Sequence, residues 1–245
     1  METEAYITRG TQGLPAIIML HGAGASGESM LPLMEMLAKD ADMTALNLPG
    51  AGRYGGEAID DIEQLAAYTA GFIAARGGRP WLLGHSLGSA AALQTARRWP
   101  GLVQGLILLS PALSMPLSSG FMDRVRGDVM VTMSAFMRRA YGPAAREEWI
   151  EASLALLARL APQTVLNDFQ ACRGYDASPY LAALNLPCLI VSGEEDALNN
   201  CRQSQEMAQI LPDCRLALIP GAGHMLPRQA PDAVAGHIRN FINDF

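Results

Sequence analysis

The sequence predicts an α/β protein with a mostly parallel, doubly wound sheet and one helical insertion. Short apolar runs rich in β-branched residues, each bounded by Gly or Pro, recur along the chain, and a segment with helical periodicity follows most of them. Each run is continuously apolar, which is typical of a strand buried on both faces. The alternation is interrupted once, from about residue 111 to 180, where the patterns are helical.

The alternating part of the chain defines the expected strands and helices. Strands are predicted at 16–20, 43–48, 81–83, 106–109, 188–191 and 216–219. Helices are predicted at 27–38, 59–75, 88–99, 203–211 and 231–245. Short connections between such elements give right-handed crossovers. We therefore expect an α/β core of residues 1–110 and 181–245, with a helical cap at 111–180 that includes helices at 121–140 and 146–160.

The predicted cap is rich in methionine and aromatic residues. It holds five of the 13 methionines, alongside aromatic residues such as Phe121, Phe136 and Trp149; the methionines are Met115, Met122, Met130, Met133 and Met137. They are either the core of the cap helices or the lining of an adaptable apolar pocket, and both interpretations can hold together. Seven arginines balance seven acids in this segment, so no docking surface of a single charge is expected.

Composition excludes several classes of protein. The chain has 245 residues, 50% of them hydrophobic and 17% charged, and a formal net charge of −6. It carries no clustered basic stripe, so a nucleic acid partner is not expected. The N-terminal residues include Glu2, Glu4 and Arg9, and no sufficient apolar run follows them, so a secretory signal is not expected there. No apolar stretch reaches the ~20 residues of a membrane helix. These features favour a cytoplasmic protein without a membrane span.

Neither a metal nor an organic cofactor is indicated. The four cysteines form no C-x-x-C pair and have no histidine at zinc-ligand spacing, so reduced, partly buried thiols are expected at Cys172, Cys188, Cys201 and Cys214. The only lysine, Lys39, lies in a polar segment at a predicted helix end. Schiff-base chemistry on pyridoxal phosphate is therefore improbable.

The pattern G-x-S-x-G at residues 84–88 predicts a nucleophile. It lies between a buried strand and an Ala-rich helix, where a sharp turn would expose the hydroxyl of Ser86 at the edge of the sheet. Gly84 and Gly88 would allow strand and helix to approach closely. The backbone amide of Leu87, at the start of the helix, would then stabilise developing negative charge. The alternative is that Ser86 only caps the helix.

A serine nucleophile needs a base, and the chain offers four histidines. His85 adjoins the serine and should point elsewhere, His237 lies on the polar face of the last helix, and His21 lies in a Gly-rich turn. His224 is the predicted base, because its loop follows the last strand and reaches the carboxyl edge of the sheet. Asp196, in the loop after the preceding strand, is the predicted orienting acid, with Glu194 and Glu195 left as alternatives.

The second oxyanion donor is expected in the loop after the first predicted strand. The segment HGAGAS at 21–26 is rich in glycine, and the amide of Ala23 is the predicted donor. A dinucleotide site is a poor alternative there, because the segment lacks the G-x-G-x-x-G register and its acidic partner.

Together these motifs resemble the α/β-hydrolase superfamily over nearly the whole chain. The matching segments are HGAGAS, LNLPGAGRYGG, GHSLGS, LILLSPA, CLIVSGEEDAL and IPGAGHMLPRQAP. The resemblance is greatest to small esterases, lactonases and lysophospholipase-like members with a helical cap. It implies a triad of Ser86, Asp196 and His224, oxyanion donors at Ala23 and Leu87, and no cofactor.

Some positions depart from the pattern of the superfamily. Many relatives have Asp, His and Gly where this chain has Asn47, Ala51 and Ser89. These positions are structural in the relatives, so the differences make the subfamily harder to assign but do not affect the chemistry. Relatives with an aspartate nucleophile are disfavoured because Ser86 occupies the turn.

The predicted function is hydrolysis of a small-molecule carboxylic ester through an acyl-enzyme. A thioesterase, lactonase, acyltransferase, perhydrolase or carbon–carbon hydrolase would use the same triad. A ligand-binding module without turnover is the alternative from another class. The acyl chain length, the leaving group and the oligomeric state are left open by the sequence.

Overall fold

The central element of the molecule is a seven-stranded sheet. The computed structural model describes residues 5–52 and 56–245. Within these residues the strand order is β1-β3-β2-β4-β5-β6-β7, with only β1 antiparallel to its neighbour. The strands are β1 (Tyr6–Gly10), β2 (Ala16–Leu20), β3 (Asp42–Leu46), β4 (Trp81–His85), β5 (Gly105–Leu109), β6 (Cys188–Gly193) and β7 (Cys214–Ile219). This sheet confirms the predicted α/β class.

The six predicted strands are all present, and β1 is the one that the sequence did not indicate. Strand β1 is an edge strand that pairs with β3 alone, and four of its five residues are exposed. An exposed edge strand has no continuous apolar run, so the pattern that revealed the buried strands is missing there.

The described residues form ten α-helices. They are α1 (Leu31–Leu37), α2 (Ile62–Arg76), α3 (Leu87–Arg98), α4 (Ser119–Gly127), α5 (Val129–Tyr141), α6 (Glu147–Leu157), α7 (Pro162–Cys172), α8 (Cys201–Ile210), α9 (Leu226–Gln229) and α10 (Pro231–Ile242). The predicted helix at 121–140 is instead two helices, α4 and α5. Asp128 lies between them in an extended conformation and accepts a hydrogen bond from the amide of Val131 at 2.9 Å, which caps α5.

The predicted helix at 27–38 also begins differently. Its first turn, Gly27–Met30, is a 3₁₀ helix, and α1 begins only at Leu31. Pro32 has no amide hydrogen to donate to the carbonyl four residues earlier, and the amide of Leu31 bonds instead to the carbonyl of Glu28. A proline near the helix start thus separates the two helix types.

Two apolar layers cover the sheet. On one face, α2, α3 and α8 contribute to a core that includes Leu82, Leu93 and Met207. On the other face, α1 and α10 contribute to a core that includes Trp81, Leu33 and Phe241. Helices on both faces leave the carboxyl ends of the parallel strands as the open edge, where the loops after β2, β4, β6 and β7 meet.

Helices α4 to α7 lie between β5 and β6 and have an apolar cluster of their own. This cluster includes Met122, Met133 and Met137, whereas Met115 belongs to a core layer of the sheet and Met130 is exposed. The ends of the segment run antiparallel, with Ser114 opposite Asp176. Its assignment as a separate cap at 111–180 stays a prediction.

A bilayer-spanning helix is not found within residues 5–52 and 56–245, because none of the helices there combines the necessary length and apolar character.

Candidate active site

Ser86 occupies a strained turn between β4 and α3. Its φ is +55° and its ψ is −114°, a combination that side-chain-bearing residues rarely adopt. The amide of Ser86 donates to the carbonyl of Leu109 at 3.0 Å, which ties the turn to the neighbouring strand β5. The surrounding structure thus holds the serine in a conformation that it would not adopt alone.

Two glycines make this turn possible. A Cβ on Gly84 would lie 2.2 Å from the carbonyl oxygen of Gly88, and one on Gly88 would lie 2.3 Å from that of Leu20. Both contacts are with backbone, which cannot rotate away. The G-x-S-x-G spacing therefore records a close approach of α3 to β2 and β4.

Ser89, one of the departures from the superfamily pattern, has a structural role. Its hydroxyl donates to the carbonyl of Gly84 at 2.7 Å and lies 3.2 Å from the carbonyl of Leu109. It is fully buried, so these bonds satisfy a polar group that could not otherwise be buried without cost. Ser89 reinforces the turn that presents Ser86.

His224 and Asp196 form a buried pair. Nδ1 of His224 donates to Oδ2 of Asp196 at 2.8 Å. Oδ1 of Asp196 accepts from the amides of Leu198 and Asn199, both at 2.9 Å. Burial works against the ionised carboxylate, but His224 and the two amides outweigh it and hold the pKa of Asp196 below its usual value. Glu194 and Glu195 are exposed, so Asp196 is the acid that meets the histidine.

The backbone of His224 is held as firmly as its side chain. Its carbonyl oxygen accepts from Nε2 of His85 at 2.9 Å and from the hydroxyl of Ser110 at 3.0 Å. Its amide donates to the carbonyl of Ala140, at the end of α5, at 2.7 Å. Burial lowers the pKa of His85 to about 3, so this ring is neutral and carries its proton on Nε2.

Sequence reasoning assigned no role to His85 or Ser110. The one signal for Ser110 lies in the backbone, because φ is +46° at this non-glycine residue, directly after β5. The sequence does not record such an angle. His85 was expected to point away from the serine, and no pattern linked it to a loop 139 positions further along the chain.

The loop 21–26 after β2 is fixed from two sides. Nδ1 of His21 donates to the carbonyl of Gly22 at 2.9 Å, and Nε2 accepts from the amide of Leu48 at 3.0 Å. From α7, Oδ2 of Asp168 accepts from the amide of Gly24 at 2.8 Å. Burial raises the pKa of Asp168 to about 7, against the opposing effect of the Gly24 amide. No pattern in the sequence singles out this acid.

A cavity of about 660 Å³ brings three of the predicted site residues together. Ala23, Ser86 and His224 line it, while Asp196 lies behind His224 and Leu87 is buried at the start of α3. Three phenylalanines form an aromatic wall with ring centroids 5.0 to 5.8 Å apart, namely Phe121, Phe136 and Phe169. Met115 and Met137 line the cavity too, so some of the methionines serve as lining and others as core.

Within the described part of the chain, the structure brings no three His, Cys, Asp or Glu side chains close enough to hold a metal ion. All four cysteines are free thiols.

The sheet, the turn at Ser86 and the buried His–Asp pair define an α/β hydrolase. The chain matches the model of the alpha/beta hydrolase family over residues 17–237, and it belongs to this family. Its relatives are named as esterases and other hydrolases, and the chain is a hydrolase.

Individual relatives are similar over most of the chain. It is 30% identical over 223 residues to the pimeloyl-acyl-carrier protein methyl ester esterase of Edwardsiella ictaluri, a match that covers 85% of each chain. It is 28% identical over 235 residues to the polyketide synthase ThaQ of Burkholderia thailandensis, of which it spans only 11%. Among solved structures, a thermophilic esterase from Thermogutta terrifontis superposes with a TM-score of 0.87 at 25% identity, covering 98% of this chain and 93% of the other.

Proposed function

We propose that the protein hydrolyses carboxylic esters through an acyl-enzyme on Ser86. The observation that carries the proposal is the strained Ser86 at the rim of a cavity that His224 shares, with Asp196 hydrogen-bonded to the far nitrogen of His224. A serine hydroxyl is a weak nucleophile until a base takes its proton. An imidazole oriented by a buried carboxylate is suited to that task.

The chemistry follows from the three side chains. Nε2 of His224 takes the proton of Ser86 as its oxygen attacks the acyl carbon, and then returns it to the leaving alcohol. Asp196 fixes the tautomer with the proton on Nδ1 and stabilises the imidazolium that forms. Water then attacks the acyl-enzyme by the same route, which releases the acid and restores the serine.

The amides of Ala23 and Leu87 are the proposed oxyanion donors. Leu87 begins α3, so its amide is one of the first in the helix and has no acceptor within it. Ala23 follows the glycine that packs against His85 and Ser86, and its small side chain leaves room for the acyl group. Helices α4 to α7 act as the cap, since they supply the aromatic wall of the cavity.

Ester hydrolysis, among the reactions open to this triad, is favoured by the relatives. The Edwardsiella ictaluri protein is named as a methyl ester esterase, and the Thermogutta terrifontis protein as an esterase. The apolar cavity next to Ser86 has room for an acyl chain.

The test is hydrolysis of p-nitrophenyl esters from acetate to palmitate, together with labelling by a fluorophosphonate that is located by mass spectrometry. We expect turnover by the wild type, a label on Ser86, and loss of both in Ser86→Ala. Ser114→Ala is the matched control, because Ser114 lines the same cavity outside the triad, and it should keep its activity. Undiminished turnover by a folded Ser86→Ala protein would contradict the proposal.

A further inference from the structure

The charged residues that line the cavity all have the same sign. Among the described residues, Arg124, Arg139 and Arg228 line it, and no Asp or Glu does. The chain as a whole has 24 acids against 18 bases and a net charge of −6. The cavity lining is therefore positively charged, whereas the chain as a whole has a negative net charge.

None of the three guanidinium groups is neutralised by a carboxylate of the described chain. No ion pair within 4 Å involves them there. The only hydrogen bonds from these guanidinium groups to the described residues are those of Arg139 to the carbonyl of Ala197, which accepts from Nε at 3.3 Å and from Nη2 at 3.0 Å. Their neighbours differ. Arg126, on α4 with Arg124, pairs with Asp123, and Arg138, on α5 with Arg139, pairs with Glu147.

Of the three arginines, Arg228 is expected to attract an anion most strongly. It is half-buried on α9, the short helix that begins two residues after His224, whereas Arg124 and Arg139 are exposed at the rim. It lies close enough to Tyr141 to lower the pKa of that hydroxyl, against the larger effect of burial. A partly desolvated guanidinium binds an anion more strongly than one in water, because the local dielectric screens it less.

Two carboxylates near the cavity do not cancel this charge. Asp196 is engaged by His224 and two amides, and Asp168 is engaged by the amide of Gly24. Neither lines the cavity. The free positive charge thus faces the space in which a substrate would lie.

We infer that the substrate is an ester carrying an anionic group, a carboxylate or a phosphate, away from the scissile bond. The apolar wall holds the chain between the two groups, and Arg228, assisted by Arg124 and Arg139, binds the anion. The inference rests on the proposed function and adds the class of substrate to it.

The decisive comparison uses methyl hexanoate and monomethyl adipate, which differ only in that a carboxylate replaces the terminal methyl group. We expect kcat/KM to be at least about tenfold higher for monomethyl adipate, the size of one charge-assisted hydrogen bond, and this preference to fall with ionic strength. The same ester ended by a phosphonate tests the other source of the anion. A higher kcat/KM for the phosphonate would assign the site to phosphate.

Variants locate the effect. Arg228→Gln should remove most of the preference for monomethyl adipate over methyl hexanoate, Arg228→Lys should keep part of it, and Arg124→Gln and Arg139→Gln should reduce it less. Arg126→Gln is the matched control on α4 and should change nothing. Equal or better hydrolysis of methyl hexanoate by the wild type, or an equal loss in Arg126→Gln, overturns the inference.

Binding separates this inference from the proposed function. Calorimetry with the Ser86→Ala protein should show monomethyl adipate binding that Arg228→Gln abolishes in the same background. Such binding without turnover by the wild type would support the anion site and contradict the ester hydrolase. Turnover of methyl hexanoate, without binding of the anionic ester or preference for it, would support the ester hydrolase and contradict the anion site.

Discussion

The carbonyl oxygen of His224 accepts a hydrogen bond from Nε2 of His85, 2.9 Å away, so the residue before the proposed nucleophile holds the backbone of the proposed base. The hydroxyl of Ser110 donates to the same oxygen at 3.0 Å. From the other side, the carbonyl of Ala140 accepts from the amide of His224 at 2.7 Å. A histidine on a loop is thus fixed by strands β4 and β5 and by helix α5, which suits a base that must meet Ser86 in one geometry.

Ser110→Ala tests this support. Loss of one of two donors to the His224 carbonyl should lower kcat by about tenfold and leave KM almost unchanged, because the base is displaced while the cavity is intact. Steady-state kinetics on the best p-nitrophenyl ester measures both constants.

Ser110→Gly is the companion variant. It also removes the hydroxyl, but glycine tolerates the φ of +46°, so it should be more stable than Ser110→Ala by about 1 kcal/mol while losing the same activity. If the loss of activity in each variant instead follows its loss of stability, Ser110 only maintains the fold.

Asp196→Asn tests the proposed orientation of His224. An amide cannot stabilise the imidazolium and favours the wrong tautomer, so kcat should fall by about 10⁴-fold while the protein stays folded. Glu195→Gln, one position away and exposed, is the control and should retain its activity. Comparable losses in the two variants would show that Asp196 is not the acid of a triad.

Patterns of buried residues made most of the fold predictable. Strands β2 and β4 to β6 read as apolar runs because both of their faces are covered, and His224 could be selected because only four histidines exist and one follows the last strand. The edge strand β1 has no such pattern. The break between α4 and α5 depends on a single capping acid, Asp128, within an otherwise continuous helical periodicity.

Contacts between segments that are distant in the chain could not be predicted from the sequence. His85 meets the backbone of residue 224, and Asp168 meets the amide of Gly24, 144 positions away. The arginines illustrate the same limit. The segment 111–180 is neutral by count, but folding pairs Arg126 and Arg138 with acids and leaves Arg124 and Arg139 facing the cavity.

Gly88→Ala should damage the turn at Ser86. The added Cβ would lie 2.3 Å from the carbonyl of Leu20, so α3 must shift, at a cost of about 3 kcal/mol of unfolding free energy and most of the activity. Gly71→Ala is the control within helix α2. A Cβ added there meets nothing within 4 Å, so the unfolding free energy of this variant should exceed that of the wild type by about 0.5–1 kcal/mol. Urea denaturation and ester kinetics compare the two, and equal stability would contradict the predicted clash.

Asp168→Asn should change how stability depends on pH. Burial raises the pKa of Asp168 from 3.8 to about 7, so between these values the unfolded chain releases a proton that the folded chain retains. Wild-type stability should therefore lose a contribution of up to ~4 kcal/mol as the pH rises from about 4 to about 7, with no further change above it. Asparagine has no proton to lose but can still accept from the Gly24 amide.

The stability of Asp168→Asn relative to that of the wild type should therefore increase as the pH rises. Urea denaturation at several pH values measures this difference in stability. Asp123→Asn, at an exposed side chain on α4, is the control for removing a charge and should show no such trend. A difference between Asp168→Asn and the wild type that is constant from pH 4 to pH 8 would mean that Asp168 is ionised throughout. Its bond to Gly24 would then be a charge-assisted link between α7 and the loop that carries Ala23, present at every pH at which the protein is folded.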